Sequence, residues 1–272
     1  MSLVLAVLLG VIQGLTEFLP VSSSAHLILA RAFFGWDAEQ FGMAFDVACH
    51  VGTLVAVLVY FRSEILAMIR AVPRVGTLVG PSPDRSAWMA LLIVVGTVPA
   101  VVAGLAFGDV IEASLRRPEV AGTMLALVAL AFFVVERYGT GRRGQDSLGL
   151  RDAILIGCAQ ATALVPGVSR SGATIATGMA FGMRRDEAAR FSFLLGVPAI
   201  LAAAVKEGLP LARHGLRPGE GPLFAAGVVA SAVVGYLAVR FFIRYVSRHS
   251  LAAFAWYRLA LAAAVAAWWF TR

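Results

Sequence analysis

The chain has 272 residues, of which 60% are hydrophobic and 14% charged, against roughly 45–50% and 25% in a soluble domain. That balance excludes an ordinary soluble domain and points to an all-α, polytopic membrane protein. The net charge of +7 does not point to nucleic acid, because the basic residues lie between apolar runs and form no patch interleaved with aromatics. Cys49 and Cys158 both fall in apolar segments, so neither a disulfide framework nor a zinc site follows from them. The first residues lack the basic start of a signal peptide and are expected to stay on the mature protein.

Residues 3–16 are apolar but short of the about 20 residues that a span needs. Pro20 breaks the helix behind them, and the serines 22–24 mark a new start. Residues 3–16 and 22–34 therefore read as the two arms of a re-entrant helical hairpin, with broken backbone that membranes tolerate only where protein or water surrounds it. Residues 42–61 form a first span despite Asp46 and His50, which lie on one of its faces without a clear partner and are read as structural. The segment 62–85 carries Pro73, Pro81 and Pro83 and is expected to be an irregular loop. Residues 86–108 hold no charge before Asp109 and form the clearest span, with a kink expected at Pro99. A short loop over 109–118 leads to a third span, 119–136.

After the basic, glycine-rich connection 137–151 the pattern returns. Residues 152–165 and 172–182 repeat the hairpin around Pro166-Gly167, and 187–206, 221–241 and 250–270 span. Segment 207–220 is read as a loop. Gly157 and Gln160 match Gly10 and Gln13 at an offset of 147, while Pro166 and Ser169 match Pro20 and Ser23 at 146, as Phe191 matches Phe45. One membrane domain thus contains two repeats, about 1–137 and 150–272, joined by the basic loop 138–149. Each repeat has one hairpin and three spans, which makes about six full transmembrane helices. Three is odd, so the second repeat enters from the opposite side. This is an inverted-topology repeat, a design that places its site near the midplane.

Fourteen arginines fall in 62–85, 137–151, 184–190 and 240–248, against seven basic residues opposite: Arg31, Arg116, Arg117, Lys206, Arg213, Arg217 and Arg272. The richer side is expected in the cytoplasm, and the mouth of the first hairpin then faces outward.

An intramembrane charge is a functional hypothesis by default. Arg170, between Ser169 and Ser171 and four residues before Thr174, offers a rigid fork of donors suited to phosphate, and freed N–H groups at a helix start add to it. Three readings are open to Glu17: metal ligand, general acid or base, or simple partner of Arg170. Gln13, one turn earlier, is a neutral ligand for the same cation or a hydrogen-bond partner of Glu17, and Mg²⁺ or Ca²⁺ is the cation such oxygens suit. His26 follows Ser23 by three residues, so the two are neighbours on a helix, the minimum for an activated nucleophile. Ser22, Ser24, Ser171 and Thr174 divide between capping and contact with a bound phosphate. Arg258 interrupts the last span and is not assigned to the site. Residue types alone leave hydrolysis, transport of a lipid carrier and simple phospholipid binding open.

The stretches Gln13-Gly-Leu-Thr-Glu17-Phe-Leu-Pro-Val-Ser-Ser-Ser-Ala-His26 and Pro166-Gly-Val-Ser-Arg170-Ser-Gly-Ala-Thr174 resemble the two signatures of the undecaprenyl-diphosphate phosphatase family, the bacitracin-resistance membrane phosphatases. The resemblance covers essentially the whole chain. It implies a multi-pass enzyme of the bacterial cytoplasmic (inner) membrane, whose active site the arginine count turns outward. The enzyme would remove the terminal phosphate of undecaprenyl diphosphate and return the carrier to peptidoglycan synthesis. It also implies a polyisoprenyl diphosphate and membrane lipids as partners, with a homodimer as a further expectation. The family's glutamate motif falls on Gln13 and Glu17, its serine and histidine on Ser23 and His26, and its phosphate-binding segment on Ser169, Arg170 and Thr174. Glutamine at position 13 excludes a two-carboxylate metal site at these two positions.

Overall fold

A computed structural model describes residues 3–35, 42–77, 84–214, 216 and 219–271. Of the expectations above, Pro81, Pro83, Arg217 and Arg272 lie outside the described residues. Among those described, the chain is all-helical, and the one β-bridge pairs Arg143 with Met183.

The first short pair is α1 (Leu3–Phe18) and α2 (Ser23–Phe34). Helix α2 ends on Gly35, whose left-handed backbone (φ 63°) lets its N–H reach Arg31 O, as a helix C-terminus prefers. Then come α3 (Met43–Tyr60) and α4 (Arg62–Ala71), the latter running into a 3₁₀ turn over Val72–Thr77. Here the expected irregular loop is corrected. A proline disfavours helix mainly at the residue before it and in the turn it enters, and most of Arg62–Ala71 lies ahead of that reach of Pro73. The two helices meet at an 80° bend.

Helix α5 (Arg85–Leu115) starts where the Asp84 carboxylate accepts from the N–H groups of Ser86 and Ala87, an N-cap. It continues through Pro99 as one helix and past Gly108, so the expected loop 109–118 shrinks to Arg116 and Arg117. Charged residues in 109–115 are compatible with a helix that has emerged from the apolar layer, and Asp109 is 95% exposed. Helix α6 (Pro118–Tyr138) opens with proline at its first position, where no N–H is missed. The connection 139–149 is non-helical apart from a 3₁₀ turn at Gln145–Ser147.

The second short pair is α7 (Leu150–Thr162) and α8 (Arg170–Ala180). Three long helices follow: α9 (Arg185–His214), α10 (Gly221–Val246) and α11 (Ala252–Phe270). Helix α9 absorbs residues 207–214 of the expected loop. Five of the described helices are long and apolar enough to cross a membrane, and α3 with α4 adds a sixth if the bent pair is one span. The protein is a multi-pass membrane protein.

Packing is reciprocal between the halves. Helix α1 lies on α10 and α7 lies on α5, while α6 pairs with α11. Both short helices approach closely enough to require glycine. A Cβ at Gly10 would stand 2.5 Å from Gly227 O, and one at Gly157 would stand 2.2 Å from Gly96 O. Buried aromatics lock the centre, with the ring of Phe193 at 5.3 Å from Phe18 and 5.8 Å from Phe242.

Candidate active site

The turns that end α1 and α7 have the same construction. Among the described residues only Ser22 (φ 74°) and Ser169 (φ 71°) hold a left-handed backbone without being glycine. Such strain persists only where surrounding structure enforces it and gathers at functional sites. Each serine caps the next helix: Ser22 Oγ accepts from Ala25 N at 3.4 Å and Ser169 Oγ from Gly172 N at 3.1 Å. Each pairs with the serine two residues on, at 3.2 Å in both cases. Ser22 and Ser169 are 147 apart, as are Gln13 and Gln160. The structural register is therefore 147 throughout the hairpin, which pairs Ser23 with Arg170, where sequence matching paired Ser23 with Ser169.

These two residues converge on Glu17. Arg170 Nη2 donates to Glu17 Oε1 at 2.7 Å, and Ser23 Oγ donates to Oε2 at 2.7 Å. Gln13 Nε2 donates to Oε2 at 3.0 Å, and His50 Nε2 stands 3.4 Å from the same oxygen. His50 Nδ1 lies 2.7 Å from Asp46 O. A carbonyl can only accept, so Nδ1 carries hydrogen and the ring is oriented with Nε2 toward the carboxylate. Glu17 is 7% exposed; a carboxylate so buried is sustained by charge partners and donors of this kind.

A chamber of about 220 Å³ is lined by Glu17, Ser22, Ser23, Ser24, His50, Ser169 and Arg170. It shares Ser24, His50 and Arg170 with a wider cavity of about 430 Å³, whose walls include Leu27, Val101, Leu105, Leu164 and Ala202. The combination suits an amphiphile, with a small polar end beside an apolar hall. A larger cavity of about 520 Å³ near Ser63, Arg85 and Arg190 contains none of the motif residues.

The motif residues divide. Gln13, Glu17, Ser23, Ser24 and Arg170 gather as expected. His26 does not join Ser23: its Nδ1 faces Ser22 O at 2.7 Å, its Nε2 pairs with Tyr257 OH at 2.7 Å, and the two rings stack. The intrahelical carbonyl and the tyrosine of α11 take both nitrogens, so a Ser23–His26 contact is absent. Thr174 is also turned inward, its hydroxyl bonded to Arg170 O and Ser192 Oγ. Ser171 Oγ ties the turns together through Glu17 O and Leu19 O at 3.3 and 3.4 Å.

Sequence reasoning missed three features. His50 lines the chamber. Asp46 does have partners, accepting from Arg31 at 2.5 and 3.0 Å and from Arg116 at 2.6 Å. Arg258, fully buried, donates to Pro20 O at 3.1 Å and Gly167 O at 2.8 Å, and also to Leu125 O. Pro20 and Gly167 are again 147 apart, so one guanidinium holds equivalent carbonyls of both turns. The signal available was a lone arginine in an apolar span.

Among the described residues no three His, Cys, Asp or Glu side chains are grouped to hold a metal ion. Gln13 Oε1 is buried without a partner one helical turn from Glu17. The two residues fit a hard cation only as an incomplete ligand set, to be finished by oxygens of a phosphate.

Comparison with known proteins decides the family. The family described as bacitracin resistance protein BacA matches residues 6–264. The chain belongs to that family. It is 50% identical over 267 residues to the undecaprenyl-diphosphatase of Rubrobacter xylanophilus, covering 98% of each chain. It is 44% identical over 277 residues to the undecaprenyl-diphosphatase of Geobacter sulfurreducens, covering both chains in full. With that of Trichlorobacter lovleyi it shares 43% over 264 residues, covering 96% of this chain and 94% of the other. BacA membership therefore extends over both hairpins and everything between them.

Proposed function

We propose that this protein hydrolyses undecaprenyl diphosphate to undecaprenyl phosphate and inorganic phosphate, recycling the lipid carrier for peptidoglycan synthesis and giving resistance to bacitracin. The observation that carries the reading is the convergence of Ser23 and Arg170 on Glu17 in a polar chamber that opens on an apolar cavity. Family membership supports the substrate.

Ser23 Oγ attacks the terminal phosphorus. Its proton passes to Glu17 Oε2, with which it already shares a hydrogen bond, so the carboxylate replaces the expected imidazole as base. The bridging P–O bond breaks and the lipid monophosphate leaves. Glu17 gives the proton taken from Ser23 to the departing lipid monophosphate and then takes one from a water whose oxygen attacks the phosphoserine. As the Ser23 Oγ–P bond breaks, Glu17 returns that proton to Oγ, the water's other hydrogen stays on the new P–OH, and inorganic phosphate leaves. Arg170 stabilises charge on the transferring phosphoryl oxygens. His26, donating to the carbonyl of strained Ser22, holds the turn that presents Ser23. A divalent cation, Mg²⁺ or Ca²⁺, held by Gln13 and Glu17 would supply further charge neutralisation at the phosphate.

The same reading makes the two short helix pairs re-entrant hairpins of an inverted repeat, meeting near the midplane of the bacterial inner membrane. The arginine count supports an orientation with α4 and the 139–149 connection in the cytoplasm and the chamber toward the outside. Phosphate release from undecaprenyl diphosphate by purified protein, with and without chelator, tests the activity; binding or transport of the lipid without release would overturn it. In cells lacking Cys49 and Cys158, an impermeant thiol reagent should label cysteine at Arg117 and spare it at Arg142, and the reverse pattern would invert the orientation.

A further inference from the structure

Two buried polar groups on the cavity wall have no partner among the described residues: Arg170 Nη1, and both Oε1 and Nε2 of Gln160. Gln160 is 3% exposed and lines the wider cavity together with Leu164 and Arg170. Its counterpart Gln13 spends its amide N–H on Glu17. The position that corresponds to Glu17 in the second repeat is Leu164, so the turn of α7 offers Gln160 no carboxylate to accept its N–H. An amide buried with neither donor nor acceptor engaged is costly, and such groups call for a specific cause. A ligand in the cavity supplies one.

Resting on the hydrolase reading, we propose that Gln160 is a substrate-binding residue whose Nε2–H donates to the lipid-linked phosphate of the diphosphate. Arg170 lines both spaces, whereas Gln160 lines only the wider one. The terminal phosphate therefore occupies the inner chamber beside Ser23, with Arg170 across both phosphates. The second phosphate reaches Gln160, and the isoprenyl chain runs out along Leu164 and Leu105. Gln160 thus distinguishes a phosphate carrying a lipid from a free one.

The test compares full-length wild type with Gln160→Leu, and with Gln160→Met as a second variant closer in shape. KM for undecaprenyl diphosphate should rise about tenfold or more, the worth of a hydrogen bond to a charged group, with kcat within about twofold. Inhibition by undecaprenyl phosphate should weaken by a similar factor, while inhibition by inorganic phosphate stays unchanged. The melting temperature should hold or rise, because an unpaired buried amide has been removed. An unchanged KM, a fall in melting temperature that accounts for the loss, or equal weakening of both inhibitors would overturn the assignment. Direct binding of undecaprenyl phosphate reads Gln160 without turnover; if wild type released no phosphate yet bound the lipid through Gln160, the hydrolase reading alone would fail.

Discussion

The two hairpins share a scaffold and differ in charge. Both have a glycine pressed against a partner helix, a glutamine one turn later, a strained serine cap and a paired hydroxyl. At equivalent positions the first carries Glu17 and Ser23 where the second carries Leu164 and Arg170. The carboxylate and the proposed nucleophile stand on one hairpin and the cation on the other, so in this reading each hairpin alone is chemically incomplete. The common parts build a turn twice, and the unlike parts build a site once.

The largest effect is expected from breaking the acid–cation contrast. Arg170→Lys keeps the charge but loses the fork, and turnover should fall about 100-fold or more, with the protein still inserted at normal level. Near-normal phosphate release would reduce the pair to a structural ion pair. Next comes the claim that Ser23 and the strained turn behind it are one unit. Ser23→Ala and His26→Ala should each remove most turnover, and the double variant should be little worse than the more damaging single one. Multiplicative losses would give His26 an independent role.

A smaller effect tests whether the third helix contributes to the acid arm. His50→Leu deletes an imidazole whose Nε2 faces a buried carboxylate and, with the ring protonated, donates to it; the loss should cost about tenfold in kcat/KM. His50→Gln, which keeps an N–H at similar reach, should recover most of that loss; failure to recover it would mean that the imidazole itself exchanges protons. The smallest effect concerns the shared scaffold. Gly10→Ala and Gly157→Ala both push a methyl into a backbone carbonyl and should each destabilise by about 1–3 kcal/mol, to similar extents in thermal melts. A loss confined to one would show that the two arms carry unequal load.

Much of the scaffold was legible because it is local. Pro20 and Pro166-Gly167 announce the breaks, the shared spacing of glycine and glutamine announces two turns of like construction, and Glu17 and Arg170 stand out in apolar surroundings. Features that depend on contacts between distant helices were not. Nothing near His50 in sequence shows that its ring meets Glu17, or that Tyr257, 231 residues away, takes the far nitrogen of His26. Asp46 looked partnerless because Arg31 and Arg116 reach it from two other elements. The loop expected at 62–85 gives way to helix over 62–77 for a different reason: proline and charge were weighted over the helix-forming stretch ahead of Pro73.

Arg258 gives this arrangement an order in time. The turns that carry Glu17 and Arg170 are made early and midway along the chain, but the guanidinium that bonds Pro20 and Gly167 arrives with the last helix. A nascent chain that has inserted both short helix pairs but not yet α11 has every motif residue and the Arg170 and Ser171 contacts between the turns, but lacks the guanidinium that holds the backbone of both. Its hydrolytic centre is expected to stay unassembled until synthesis is complete, so that a chain stopped at Ser250 inserts yet releases no phosphate.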